Sequence, residues 1–174
     1  MAKKIFKRFL PDPAKIRNHK QLKIFGPLIS NPNLWHLNRH SVATAVSIGL
    51  FACYLPFPGH MLTATFLSII FQANLPLAVI LVWVSNPLTI PPMFYFGYKL
   101  GTIILRIPPQ HFHLELTLRW IKQEFNTVGL PLLVGSLVCG IVLAILGNIA
   151  VRLFWRWNVI QAWNKRQKRR KSAN

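Results

Sequence analysis

LPFPGHMLTATFLSIIFQANLPLAVILVWVSNPLTIPP, residues 55–92, is the stretch whose reading decides the fold. It is almost wholly apolar and contains no Asp, Glu, Lys or Arg. It is nevertheless cut at Pro56 and Pro58-Gly59, at Asn74-Leu75-Pro76, at Asn86-Pro87 and at Pro91-Pro92. Each proline inside a helix removes one backbone hydrogen bond and clashes with the preceding turn. In hydrocarbon a freed carbonyl costs several kcal/mol unless protein or cavity water satisfies it. A long uncharged run with this many breaks therefore predicts short helices that pack on one another at membrane depth, not a simple anchor.

Working outward, the 174-residue chain has room for one domain. Hydrophobic residues make up 52 %, yet the net charge is +18, and the two properties are segregated along the chain. Residues 1–40 carry nine Lys/Arg against Asp12, residues 41–105 carry only Lys99, and the tail from Arg152 to Lys171 is basic. A nucleic-acid-binding surface would spread its basic residues over a folded face. Two basic blocks flanking an apolar centre instead follow the positive-inside rule. The expectation is a multi-pass protein of the bacterial inner membrane with both termini cytoplasmic, no nucleic-acid partner, and attraction to anionic headgroups. The first residues, MAKKIFKRFLPDP, lack an apolar h-region and a small-residue cleavage site, which predicts no cleaved signal.

The predicted fold class is all-α, an integral membrane helical bundle with proline-broken or re-entrant helices and amphipathic surface helices. Residues 1–40 form a basic interfacial segment, with helix starts at Asp12-Pro13 and Asn31-Pro32. The transmembrane domain covers 41–154, with apolar segments 41–57, 61–84, 88–105 and 129–154. A loop over 106–128 carries Leu118, Ile121 and Phe125 at the spacing of a surface helix. Residues 155–174 are the basic tail. Two topologies remain open: a re-entrant hairpin over 41–72 with Pro-Phe-Pro-Gly at its tip, or full crossings by each segment. Segment 129–154 is the cleanest spanning helix, with Gly135, Ser136, Gly140 and Gly147 available for close packing.

Catalysis requires titratable groups within reach of one another. Asp12, Glu115 and Glu124 are the only acids, and none lies in the apolar segments, so no enzyme activity, catalytic residue or cofactor is expected. His111, His113 and Glu115 read as exposed loop residues, and no metal site is expected. Cys53 and Cys139, without CxxC spacing, read as packing residues. His60, Gln72, Asn74, Asn86, Lys99 and Asn148 fall in or beside apolar segments, where polar groups face a bundle interior or mark a functional site. Asn74 and Asn86 also suit helix caps before Pro76 and Pro87. The candidate ligand-binding set is Pro58, Gly59, His60, Asn86, Pro87 and Lys99.

GPLISNPNLWHLNRHSVATAVSIGL, LPFPGHM, NLPLAV, SNPLTIPP and YKLG, in this order, resemble the bacterial family known as domain of unknown function 2062. That resemblance implies a small membrane protein and no particular activity. Residues 55–101 are also similar to the first half of DedA-type (SNARE-associated) membrane proteins. That similarity implies re-entrant hairpins and the movement of lipid phosphates, such as undecaprenyl phosphate, across a bilayer. His60 stands where those proteins carry an acid after Pro-Gly, and no second Arg- and Pro-containing hairpin follows. A carboxylate-coupled mechanism therefore does not transfer, and a homo-oligomer in which two copies complete one site is one expectation. The function expected is a transporter or flippase-like unit for an amphiphilic anion such as a lipid phosphate. The alternative is a non-catalytic scaffold or regulatory subunit of an envelope enzyme.

Overall fold

The computed structural model describes residues 28, 31–57, 59–108 and 128–171. The expectations for the N-terminal helix after Asp12, for Pro58 and for the surface helix around Leu118 lie outside these residues. Among the described residues the chain is all-helical. A 3₁₀ turn, Pro32–Trp35, precedes α1 (Arg39–Cys53), α2 (His60–Ile70), α3 (Leu75–Val82), α4 (Ile90–Leu105) and α5 (Leu130–Lys171).

Asn38 starts α1, its side-chain oxygen accepting the Ser41 N–H at 2.7 Å. Small residues then line one side of α1: Val42, Ala45, Gly49 and Ala52 recur at helical spacing and are buried. They let α2 and α3 approach, forming a core with Ala64, Ala73, Leu77, Ala78 and Val82. Gly49 is the closest contact, since a Cβ there would lie 2.5 Å from Leu81 Cβ and 2.9 Å from the Ala78 carbonyl. The apolar segment 61–84, cut in the sequence at Asn74-Leu75-Pro76, is divided into α2 and α3. α2 ends in a Schellman-type closure, with Gln72 in the left-handed region (φ 50°) and the Ala73 N–H donating to the Ser68 carbonyl at 2.9 Å. Asn74 then caps α3 by accepting the Leu77 N–H at 3.1 Å, and Pro76 occupies the first turn. The Asn74 N–H donates to the Ser41 carbonyl, so α3 starts beside the start of α1 and runs parallel to it. α2 lies antiparallel to both.

The long helix α5 packs along α1 and α4. Trp155 and Val151 pack on the α1–α3 core, Gly147 faces Leu50 and Val46, and Gly140 faces Phe51 and Tyr54. α1 thus runs antiparallel to α5 and ends at the height of Gly140. α4 continues where α1 stops. Met93 and Leu100 join Cys53, Tyr54, Cys139 and Leu143 in one cluster, and further along Gly97 meets Gly135 and Ser136, and Gly101 meets Pro131. At about 1.5 Å per residue, α1 and α4 measure about 22 and 24 Å, each too short for a hydrocarbon core of about 30 Å. Laid end to end, they exceed it. Among the described residues, α5 is the helix long and apolar enough by itself to cross a membrane, over Leu130–Asn164.

Candidate functional site

The turn between α1 and α2 is closed by its own side chains. The His60 ring nitrogen Nε2 lies 2.7 Å from the Leu55 carbonyl, and the Phe57 ring stacks on the imidazole at 6.4 Å between centroids. Gly59, at φ +111°, supplies the reversal into α2. His60 is half-buried and Gly59 carries no capping side chain. This turn lies at the end of α1, level with Gly140, about ten residues or 15 Å from the start of α5.

The turn between α3 and α4 closes in a similar way. Asn86 Oδ1 accepts the N–H groups of Leu88 (2.9 Å) and Thr89 (3.1 Å), while Thr89 Oγ1 donates to the Val84 carbonyl. Asn86 and Pro87 are exposed; the asparagine closes this turn through its side chain, and Thr89 is the residue that precedes α4. Lys99 is exposed on α4, between two glycines whose role is packing. A Cβ on Gly135 would fall on the Gly97 carbonyl oxygen, and one on Gly101 on the Pro131 carbonyl oxygen. The two helices therefore meet backbone to backbone, as small-xxx-small pairs allow. No hydrogen bond among the described residues joins His60, Asn86 and Lys99 to one another. Pro58 lies outside the described residues.

A polar seam crosses the α1–α5 interface. Ser47 Oγ reaches the Ala43 carbonyl at 3.1 Å and the Ala144 carbonyl at 3.0 Å, and accepts from Asn148 Nδ2 at 2.9 Å. Asn148 Oδ1 in turn accepts from Arg152 Nε at 2.6 Å. Every polar group of this seam has a partner, and it reads as glue between helices.

The least satisfied polar cluster lies at the opposite end of α1. Ser41, Ser68 and Asn74 are 2 %, 0 % and 0 % exposed, and Ser41 Oγ, Ser68 Oγ and Asn74 Nδ2 have no hydrogen-bond partner. Their backbones are knitted together, because the Asn74 N–H donates to the Ser41 carbonyl and the Ala73 N–H to that of Ser68. Leu34 and Trp35 of the 3₁₀ turn pack over the start of α3 at Leu75 and Val79. Asn31 Nδ2 approaches Gln72 Oε1 at 3.5 Å on the outer edge. A buried donor left unsatisfied costs about 1–3 kcal/mol. Ser136 Oγ, at the α4–α5 crossing beside Gly97, is a fourth such atom, but Ser41, Ser68 and Asn74 are neighbours through their backbone bonds.

Asn74 was legible as a polar residue in an apolar run, whereas Ser41 and Ser68 were not, since serine is unremarkable in small-residue helices. The signal available was indirect: Ser41 follows an Asn cap by three residues, and Ser68 precedes the Gln72 closure by four.

Comparison with known proteins gives a family match. No curated protein and no solved structure matches the chain. A family model covers residues 22–164, so the Pro-rich turns, the glycine crossing and the serine–asparagine cluster all fall within it. The chain belongs to the bacterial family described as an uncharacterized protein conserved in bacteria, DUF2062.

Proposed function

We propose that this protein is a multi-pass protein of the bacterial inner membrane, with both termini cytoplasmic, that handles an amphiphilic anion such as a lipid phosphate as a transporter or flippase-like unit. The observation that carries the reading is the end-to-end placement of α1 and α4 along α5. Their junction, with the turns at Pro56–His60 and Asn86–Thr89, falls within the apolar part of α5. Irregular backbone at membrane depth occurs where it is buried in protein or lines a polar path, and broken helices of this kind form midplane sites in transporters. Exposed apolar side chains on α4 and α5, among them Phe96, Ile103, Leu137, Ile141 and Ile145, suit contact with lipid. All charged residues in the described part are basic, which favours an anionic ligand over a cation. The proposed role is non-catalytic.

Reconstitution tests the reading. Proteoliposomes loaded with a fluorescent short-chain lipid phosphate are expected to expose it to an impermeant quencher faster than protein-free vesicles, and faster than they expose a phosphocholine analogue. Equal rates with and without protein would remove the transport reading and leave the scaffold alternative.

A further inference from the structure

We infer that the adjoining starts of α1 and α3 form a site for an anionic oxygen of a phosphate group, held by Ser41 Oγ, Ser68 Oγ and Asn74 Nδ2. The inference takes the anionic ligand from the function proposed above and gives it a place in the fold. Three observations converge on it. First, the groups are orphaned donors. Asn74 Oδ1 is used by the Leu77 N–H, so the open half of that amide can only donate, and both hydroxyls are without partners. Second, the helix ends have the right sign. α1 and α3 run parallel and both begin here, so their positive ends lie side by side. The C-terminus of α2 also arrives here, but its carbonyls at Ser68 and Ile69 are occupied by the N–H groups of Ala73 and Gln72. Third, no described residue supplies negative charge. Neither helix has an acid in its first turn, and the described residues contain none at all.

A water molecule would satisfy some of the three donors but would leave the paired positive helix ends uncompensated. An oxyanion answers both demands. The 3₁₀ turn at Pro32–Trp35 packs over the start of α3 through Leu34 and Trp35. A phosphate could come from a free ion or from a lipid headgroup, and the chemistry recognised is the same.

The experiment uses the full-length protein in detergent and two variants. Asn74→Asp keeps an oxygen to cap Leu77 but replaces the donor with an anion. Ser41→Ala/Ser68→Ala removes the two hydroxyls. Circular dichroism checks that each variant folds, and the second variant carries the test if the first does not. Inorganic phosphate is expected to raise the wild-type Tm relative to chloride at equal ionic strength. Asn74→Asp should weaken phosphate affinity at least tenfold and the double alanine several-fold. Equal affinity in wild type and folded variants would overturn the site. So would a wild type indifferent to phosphate together with a more stable double alanine, the signature of dry packing. A second arm offers phosphatidic acid and phosphatidylcholine in native mass spectrometry. If wild type and Asn74→Asp take up phosphatidic acid equally, the site falls and the lipid-phosphate function stands. If wild type binds inorganic phosphate but not phosphatidic acid, the site stands and the lipid function falls.

Discussion

Gly59 holds φ at +111°, and a Cβ added there would meet nothing within 4 Å. The cost of Gly59→Ala is therefore backbone strain alone, about 1 kcal/mol. Gly59→Asn is expected to cost less, because asparagine tolerates the left-handed region. Thermal melts of the purified variants check the order. The neighbouring His60 holds the turn through the Leu55 carbonyl and the Phe57 ring, so His60→Ala should lower stability by about 1–2 kcal/mol. A ligand contact at His60 would show instead as weakened lipid-phosphate binding with unchanged Tm. At Asn74 the same side chain has two duties, and Asn74→Ala separates them. Losing the cap should cost about 1 kcal/mol whether or not ligand is present.

Between elements, the tightest joint is the crossing of α4 and α5. Gly101→Ala or Gly135→Ala would place a methyl group on backbone that has no room to yield, and each should destabilise by about 3 kcal/mol or more. Gly140→Ala is expected to be much milder, since its Cβ would sit 3.3–3.4 Å from Phe51 and Tyr54. Denaturation in mixed micelles should rank the three variants in that order. These joints also mark how far the sequence could be read. The proline breaks, the cap at Asn74 and the packing glycines of α5 were visible one residue at a time, whereas Asn86, expected as a cap, closes a turn before Thr89 instead. The fold-back of α2 on α1 was one of the two topologies the sequence left open, whereas the left-handed Gln72 that closes α2 carried no sequence signal. Gly97 and Gly101 flank Lys99 in the sequence, but their duty depends on Pro131 and Gly135, thirty residues or more away. Ser41 and Ser68 escaped for the same reason: their importance comes from a meeting of three helices that no short window contains.

For the whole molecule, the arrangement along α5 makes a topological prediction. In a chain with Cys53→Ala and Cys139→Ala, Gly59→Cys and Leu88→Cys should both be shielded from impermeant thiol reagents applied outside the cell. Rapid labelling of either would exclude turns at membrane depth. Alkaline phosphatase fused after Asn174 should be inactive and after Gln110 active, and the reverse pattern would invert the orientation. The same arrangement dictates an order of assembly during synthesis. α1, α2 and α3 bury their shared core against one another and can settle as soon as they leave the ribosome. α4 emerges next, but its main packing partner, α5, has not yet been made. For the time needed to translate residues 106–130 and beyond, α4 waits with Gly97 and Gly101 uncovered. On the proposed membrane placement, a chain stopped anywhere in that interval would leave a half-length helix stranded in lipid, a natural target for membrane quality control.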